Sequence, residues 1–208
     1  GEGGRYNFIN NYYKPTAGSV HKNRIFSPNA DDGSNKQPQG VWGEFYLHGN
    51  VIAGDQAATK DNTLGFQPNP ASKDKSELLS KKEFSVSPVK TDKAIDAYIK
   101  VLQKAGASYV RDNTDARIVN ETRNGLTPVR ASHDSNTRPG MIDSQSDVGG
   151  WDVYKYAKSE VVTDSDNDGI PDGWLEKKYP GKTANDLNPD GYTYLEVYLN
   201  SLVEHIIK

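Results

Sequence analysis

Short apolar segments alternate with polar turns through the first fifty or so residues, a pattern that predicts short β-strands. Residues 5–13 form an aromatic and β-branched segment that Lys14-Pro15 ends, and residues 24–26 form a second one. Residues 44–52 hold a third and a fourth strand, divided at Gly49-Asn50. Pieces this short, with asparagine at the turns, suit the stacked coils of a solenoid, in which each coil relies on its neighbours for a core. An ordinary small antiparallel sheet also fits these residues.

Polar residues dominate residues 55–82, which we expect to form a long surface excursion, and residues 84–86 are a further candidate strand. A helical pattern then begins at Thr91 and ends at Gly106. Its apolar stripe consists of Ile95, Tyr98, Ile99 and Leu102. A shorter helix is predicted over residues 114–121, with inward side chains expected at Ala116, Ile118 and Val119.

The last helix has the clearest pattern in the chain. Its single apolar stripe consists of Leu195, Tyr198, Leu199, Leu202, Val203 and Ile206. We expect this stripe to pack against the helix that contains Trp174. Residues 141–151 lack periodicity and are expected to wrap over another surface.

Acidic residues upstream of the last helix are spaced like the ligands of a calcium loop. From residue 164 onward, carboxylates stand at positions 1, 3, 5 and 9 and a glycine, Gly169, at position 6, as in an EF-hand-like loop. The predicted calcium ligands are Asp164, Asp166, Asp168, the Ile170 carbonyl, Asp172 and Glu176. Four carboxylates this close would repel one another without a cation, so the pattern favours calcium over a polar turn that binds nothing.

This first loop departs from the EF-hand pattern at position 12, where the bidentate acid is expected. Leu175 stands there, and Glu176 follows one place later. Asp172 is also a candidate N-cap for a helix that begins at Gly173 or Trp174.

A second, shorter loop covers residues 186–196. Its predicted ligands are Asp186, Asn188, Asp190, the Tyr192 carbonyl and Glu196, with Gly191 again at position 6. Glu196 stands at position 11, and it also forms the pattern of a capping box with Thr193. Both roles can coexist, because a metal-bound glutamate often opens a helix. Two such loops in tandem predict a paired helix-loop-helix unit.

Composition narrows the class of protein. The chain has 208 residues, of which 34% are hydrophobic, and its 12 tyrosines and 3 tryptophans argue against disorder. The net charge of −3 is spread without a basic stripe, so nucleic acid is not an expected partner. No apolar run is long enough to cross a membrane. Cysteine is absent, which rules out disulfides and thiol chemistry.

Some residues outside the loops are candidates for binding an acidic sugar chain. Arg5, Tyr12, Tyr13 and Lys14 combine cations with aromatic faces, which suit uronates. The alternative for the tyrosines is stacking within the coils. The four histidines show no catalytic spacing with one another or with serine and aspartate.

Several segments, taken in order, resemble the bacterial pectate lyases of polysaccharide lyase family one. Residues 3–15 and 45–50 are similar to late coils of that family, and residues 105–108 with 115–119 to the helical segment that follows the coils. Residues 142–151, 164–174 and 191–200 are similar to its C-terminal end. The resemblance implies a right-handed parallel β-helix, followed by a helical extension, and cleavage of pectate by β-elimination.

The resemblance also implies that the catalytic centre lies elsewhere. In that family an arginine in an Arg-x-Pro-x-x-Arg-like segment acts as the base, upstream of the coil with which this chain starts, and no arginine here has that pattern. We therefore expect no catalytic residue in the chain, a structural calcium, and an upstream β-helix portion of the same protein as partner. A non-catalytic, calcium-dependent carbohydrate-binding or adhesion module is the alternative.

The chain is expected to divide at about residues 90 and 160. Residues 1–90 would hold the terminal coils and the long surface loop, 91–160 the helical and wrapping extension, and 161–208 the calcium loops. The sequence opens abruptly on Gly1-Glu2, without a visible signal peptide, as expected of a segment of something longer. We expect a secreted, periplasmic or cell-surface bacterial protein, because weak calcium loops fill where calcium is millimolar.

Overall fold

A computed structural model describes residues 3–34, 36–128, 140–153 and 162–207. The chain divides into two compact units. The N-terminal unit comprises Gly1–Gln103 and Ile118–Gly150, and the C-terminal unit comprises Lys104–Arg117 and Trp151–Lys208.

The strands of the N-terminal unit are short and pair in parallel. Strand β1 (Arg5–Ile9) pairs with β3 (Glu44–His48), and β2 (Tyr12–Tyr13) pairs with β4 (Val51–Ile52). Gly49-Asn50 separates β3 from β4, as predicted. The single strand expected over residues 5–13 is wrong, because Asn10 has a φ of 55° and turns the chain.

Most parallel contacts join residues that lie 39 or 40 positions apart in the sequence, and one joins residues 34 positions apart. Arg5 pairs with Glu44, and Tyr12 with Val51. Single bridges then join Phe26 to Phe66 and Asn29 to Asn69, and Phe45 is further bridged to Leu79. The chain therefore returns to the same three lines of contact, and each such return is called a coil below. The antiparallel alternative is wrong for these strands. The strand expected at residues 24–26 is reduced to the Phe26 bridge.

Side chains from successive coils form the core of this unit. Phe45 and Phe66 are fully buried with ring centroids 5.3 Å apart, and Leu78 is buried beside them. A second cluster joins Ile25, Ile52 and Ala58. Burying a phenylalanine side chain is worth about 1.5–3 kcal/mol, so Phe45 and Phe66 each contribute to the stability of this unit.

The surface excursion expected over residues 55–82 is wrong. This segment contains helix α1 (Gln56–Lys60) and two 3-10 turns, Asn62–Leu64 and Lys75–Glu77, and it supplies the buried Phe66 and Leu78. Three of its aspartates serve as helix caps. The side chains of Asp55, Asp61 and Asp74 accept hydrogen bonds from backbone N–H groups at the start of each helical turn.

A buried amide network lies at the turn between the strand pairs. Asn50 is fully buried, and its Oδ1 accepts from the backbone N–H of Asn11 at 3.0 Å and from the Asn11 side chain at 2.9 Å. Its Nδ2 donates to the carbonyl of Phe8 at 2.7 Å and to Oδ1 of Asn62 at 3.0 Å. Asn11 and Asn50 occupy equivalent places in successive coils, so the network ties one coil to the next.

Two longer helices follow the coils. Helix α2 (Ala94–Lys104) begins three residues later than predicted, and Ala94 and Leu102 are its buried residues. Ile95 and Ile99, expected on the inward stripe, are 47% and 45% exposed. Of the same stripe, Leu102 is buried and Tyr98 is half-buried, and Tyr98 stacks on Tyr12 with ring centroids 4.4 Å apart.

Helix α3 (Asn113–Asn124) is longer than the predicted 114–121. Ala116 and Ile118 are exposed, so the prediction that they point inward is wrong, and only Val119 of the three is half-buried. The side chain of Asp112 accepts from the N–H of Asp115 at 2.7 Å and caps the helix start.

Two predicted segments have other local structures. Residues 84–86 do not form a strand, and Phe84 is held instead by the side chain of Asn7, which bonds both its N–H and its carbonyl. Residues 141–151 contain a 3-10 turn, Gln145–Val148, closed by a capping box from Ser144. None of the helices in the described ranges is long and apolar enough to span a membrane.

Candidate functional site

Two helices of the C-terminal unit position the predicted calcium loops. Helix α4 (Trp174–Lys178) follows the first loop and α5 (Tyr194–Ile207) follows the second. Trp174 meets Tyr198 edge to face, with ring centroids 5.1 Å apart, and Tyr179 lies 4.7 Å from Tyr194. The prediction that the last stripe packs against the Trp174 helix is confirmed at Tyr198, whereas Leu199 of the same stripe is 51% exposed.

The first loop turns where the sequence places its glycine. Gly169 has a φ of 87°, a conformation that side chains other than glycine rarely adopt. The carboxylate of Asp164 accepts from the N–H groups of Asp168 at 3.2 Å and Gly169 at 3.0 Å, and Oδ1 of Asp168 accepts from Ile170 at 2.8 Å. Ile170 is buried and anchors the loop to the unit.

Three of the predicted ligands converge. Asp164, Asp166 and Asp172 each offer a carboxylate oxygen, and these oxygens all lie within 4.8 Å of one another. Two oxygens on opposite sides of one calcium ion are about 5 Å apart, so a single ion fits this spacing. Within the described ranges, no other group of three histidine or acidic side chains meets the same spacing.

The remaining ligands of the first loop lie beside this trio. Asp168 and Glu176 line a cleft of about 380 Å³ together with Asp166 and Asp172. The Ile170 residue also lines this cleft. The structure therefore brings Asp164, Asp166 and Asp172 together and leaves Asp168 and Glu176 outside the close group.

The predicted N-cap role of Asp172 is wrong. Its carboxylate turns back to Ser165 and accepts from the backbone N–H at 2.8 Å and from the hydroxyl at 2.7 Å. Helix α4 starts after Gly173 without a side-chain cap. The two bonds from Ser165 lower the pKa of Asp172, so this carboxylate is held in the ionised form that a hard cation needs.

The second loop is folded on its own hydrogen bonds. Oδ1 of Asn188 accepts from the N–H groups of Asp190 at 3.0 Å and Tyr192 at 2.9 Å, and the Tyr192 carbonyl accepts from the Asn188 N–H at 2.8 Å. The Asp186 carboxylate accepts from the N–H of Thr183 at 2.8 Å, which lowers its pKa. Its acidic side chains form no group as close as that of the first loop.

Glu196 forms the predicted capping box. Its Oε2 accepts from the N–H of Thr193 at 2.7 Å and from the Thr193 hydroxyl at 2.8 Å, and the Glu196 N–H donates to that hydroxyl at 3.2 Å. These bonds lower the pKa of Glu196. As a ligand of the second loop, Glu196 stays a prediction.

The residues predicted to bind an acidic sugar are not brought into one site. Arg5 pairs with Glu44 at 3.6 Å, one coil further on. Lys14 donates to the hydroxyl of Tyr98 at 2.9 Å and to the carbonyl of Arg123. Tyr12 stacks on Tyr98, and burial raises the pKa of Tyr13. Tyr12 and Lys14 therefore join the coils to α2.

A groove that the sequence analysis missed runs beside β1. It has a volume of about 830 Å³ and is lined by all five residues of Arg5–Ile9, by residues 83–89 and by Thr91. Neighbouring strand residues point to opposite faces. A groove lined by five consecutive residues therefore follows the edge of the strand. The sequence carries no signal for this groove, because it depends on which edge of β1 is paired.

Comparison with known proteins gives partial matches to one enzyme type. No family model matches the sequence. A stretch of 112 residues is 38% identical to the probable pectate lyase C of Aspergillus flavus, covering 52% of this chain and 24% of that protein. The probable pectate lyase C of Aspergillus fumigatus is 29% identical over 167 residues, covering 77% of this chain and 37% of that protein. That of Neosartorya fischeri is 32% identical over 111 residues.

These matches support a pectate lyase-like chain. They are fungal proteins, whereas the sequence resemblance pointed to bacterial enzymes, and they carry no information on the EF-hand-like loops. The chain spans between about a quarter and little more than a third of the length of these relatives.

Proposed function

We propose that this chain forms the last coils and the calcium-stabilised tail of a secreted, pectate lyase-like protein that cleaves pectate by β-elimination. The observation that carries the proposal is the similarity to pectate lyase C at 38% identity. The recurrence of parallel contacts, as between Arg5 and Glu44, supports the view that the coils belong to a parallel β-helix.

One edge of β1 is open to a preceding coil. The N–H of Glu44 donates to the Gly4 carbonyl at 2.8 Å, and the N–H of Asn10 donates to the His48 carbonyl at 2.9 Å. In a parallel pair, the backbone groups of alternate residues point to opposite edges. The outward-pointing N–H and C=O groups of β1 are therefore those of Arg5, Asn7 and Ile9.

The groove beside β1 is the place where that coil would lie. In the described ranges β1 pairs with β3 alone, and an unpaired edge of this kind is a template for another strand. The proposed occupant is an extended, parallel strand from the upstream part of the same protein. It would form hydrogen bonds with the backbone groups of β1 that point away from β3, as β3 does with the groups that point toward it.

Calcium is the cation proposed for the tail. Asp164, Asp166 and Asp172 would hold it directly, and Asp168, Glu176 and the Ile170 carbonyl would complete its shell. Carboxylate and carbonyl oxygens are the ligands that calcium prefers. A bound ion would remove the repulsion among the acids and stabilise the folded loop. Extracellular calcium is abundant enough to fill such a site, which supports a secreted location.

The second loop is proposed as a weaker calcium site. Asp186, Asn188, Asp190, the Tyr192 carbonyl and Glu196 are its candidate ligands. Asp186 and Glu196 already accept backbone hydrogen bonds, and each carboxylate has a second oxygen to offer.

The chemistry is assigned to the region upstream of this chain. β-Elimination removes a proton from the carbon next to a uronate carboxylate, and cationic groups stabilise the charge that develops there. Arg5 is paired with Glu44 and Arg24 donates to Gln67 at 3.0 Å, so both of these arginines serve coil-to-coil contacts. The contribution of this chain is to close the coil stack and to stabilise it.

An assay for unsaturated uronide tests this proposal. The longer natural protein that carries this sequence should release the unsaturated product from polygalacturonate, measured by its ultraviolet absorbance. The 208-residue chain alone should release none above the uncatalysed rate. Enzyme-like rates from the isolated chain would show that the catalytic centre has been misplaced, and inactivity of the longer protein would refute the lyase proposal.

A further inference from the structure

A second cleft in the C-terminal unit lies between α4 and α5. It has a volume of about 380 Å³, within the range of small-molecule sites. Aromatic and polar side chains line it together, among them Trp174, Lys178, Tyr179, Tyr192, Asn200 and Glu204. It is separate from the cleft of the first calcium loop, with which it shares no lining residue.

The aromatic wall of this cleft is held in place. Trp174 is half-buried and fixed by Tyr198 at 5.1 Å and by Tyr179 at 5.7 Å between ring centroids. Tyr192 stands at the rim and is 54% exposed. A rigid aromatic face beside an exposed tyrosine is well suited to a flat apolar surface, because little side-chain entropy is lost on contact.

The polar groups of the cleft are those that bind hydroxyls and a carboxylate. Lys178 is exposed, with its ammonium group 4.7 Å from the centre of the Trp174 ring. Asn200 carries an amide that both donates and accepts. The hydroxyl of Ser201 is already used, since it donates to the Tyr198 carbonyl at 2.6 Å.

We propose that this cleft binds one or more uronate units of an acidic polysaccharide. Each sugar ring has an apolar face that packs on an aromatic ring, while its rim carries hydroxyls and one carboxylate. Tyr192 supplies the exposed ring, Lys178 beside the Trp174 wall supplies the cation for the carboxylate, and Asn200 is a partner for hydroxyls. The choice of a uronate rests on the proposed function, and the tail would then hold the substrate chain as well as stabilise the fold.

Tyr192 allows binding to be separated from calcium. Its ring lines the cleft, whereas its backbone carbonyl is the predicted ligand of the second loop. The variant Tyr192→Ala removes the ring and keeps the carbonyl. Lys178→Ala removes the cation without touching any predicted calcium ligand.

The test is a calorimetric titration of the chain with a homogeneous oligogalacturonate in excess calcium. We expect saturable binding that Tyr192→Ala weakens about tenfold, the loss typical of one aromatic contact. Lys178→Ala should weaken the binding of the oligogalacturonate. The binding of a neutral oligosaccharide of equal length should be unaffected. Lys177→Ala on the same helix and Tyr109→Ala in the same unit are the matched controls, since neither residue lines the cleft.

Absence of binding by the parent chain would overturn the proposal, and so would equal affinities for the parent and both cleft variants. Unchanged melting temperatures of the variants in calcium would show that any loss comes from the cleft rather than from unfolding. The result is independent of the lyase assay. A longer protein without lyase activity would refute the proposed function while the titration still decides whether the cleft binds uronates.

Discussion

Replacing Asn50 by alanine should destabilise the N-terminal unit by about 3 kcal/mol or more. The side chain is fully buried, and it satisfies the N–H of Asn11, the carbonyl of Phe8 and the amide of Asn62. Each buried group left without a partner costs about 1–3 kcal/mol.

Urea unfolding followed by circular dichroism measures this loss. Asn120→Ala is the matched control, since Asn120 is exposed on α3 and alanine is the better helix former there. The control should unfold at the midpoint of the parent or slightly above it. A loss below about 1 kcal/mol for Asn50→Ala would mean that the amide network does not tie the coils together.

Calcium should raise the melting temperature of the chain, and the double variant Asp166→Asn, Asp172→Asn should abolish that rise. An ion that binds only the folded state stabilises it by about 4 kcal/mol when its concentration is a thousand times its Kd. The two asparagines keep the side-chain shape and remove two of the three charges that converge. In excess chelator the variant loses the repulsion between carboxylates and also one of the two bonds that Asp172 accepts from Ser165, so its melting temperature should stay close to that of the parent.

The control for this experiment is Asp32→Asn, which alters an exposed carboxylate of the N-terminal unit. Asp32 accepts from the N–H of Ser34 at 2.8 Å, a bond that asparagine can also accept. Its calcium response should equal that of the parent. A double variant that responds to calcium as strongly as the parent would contradict the metal site of the first loop.

Local signals in the sequence predicted two turns and one helix cap correctly, although the N-cap predicted at Asp172 was wrong. Gly49-Asn50 divides two strands and Gly169 turns the first loop, because in each case the chain needs a conformation that glycine readily adopts. The capping box of Thr193 and Glu196 is likewise a contact between near neighbours. Such features depend on a few adjacent residues, so sequence alone predicts them.

Contacts between coils could not be predicted from adjacent residues. The segment 55–82 is polar along most of its length, yet two of its residues, Phe66 and Leu78, complete a core that other coils supply. A short sequence repeat does indicate which residues of successive coils lie side by side. Phe-x-Pro-Asn occurs at residues 26–29 and again at 66–69, and the structure bridges the two phenylalanines and the two asparagines.

The sequence predicted which residues form the candidate metal site, but it predicted the directions of their side chains only in part. The spacing of Asp164, Asp166 and Asp172 was sufficient to propose that they share a cation. The direction of the Asp172 side chain depended on Ser165, whose N–H and hydroxyl compete with the start of helix α4 for the carboxylate. The spacing of acidic residues indicates possible metal ligands, but it does not show which nearby hydrogen-bond donors also bind them.

Amide hydrogen exchange at the open edge of β1 tests the central claim most directly. The N–H groups of Arg5, Asn7 and Ile9 should exchange rapidly in the isolated chain. In the proposed longer protein they should exchange more slowly by at least about a hundredfold, because a preceding coil would accept their hydrogen bonds. The N–H of Asn10, which is bonded to His48 in the chain, is the internal reference. Equal exchange of the three edge amides in both proteins would contradict the account of this chain as the end of a stack of parallel coils.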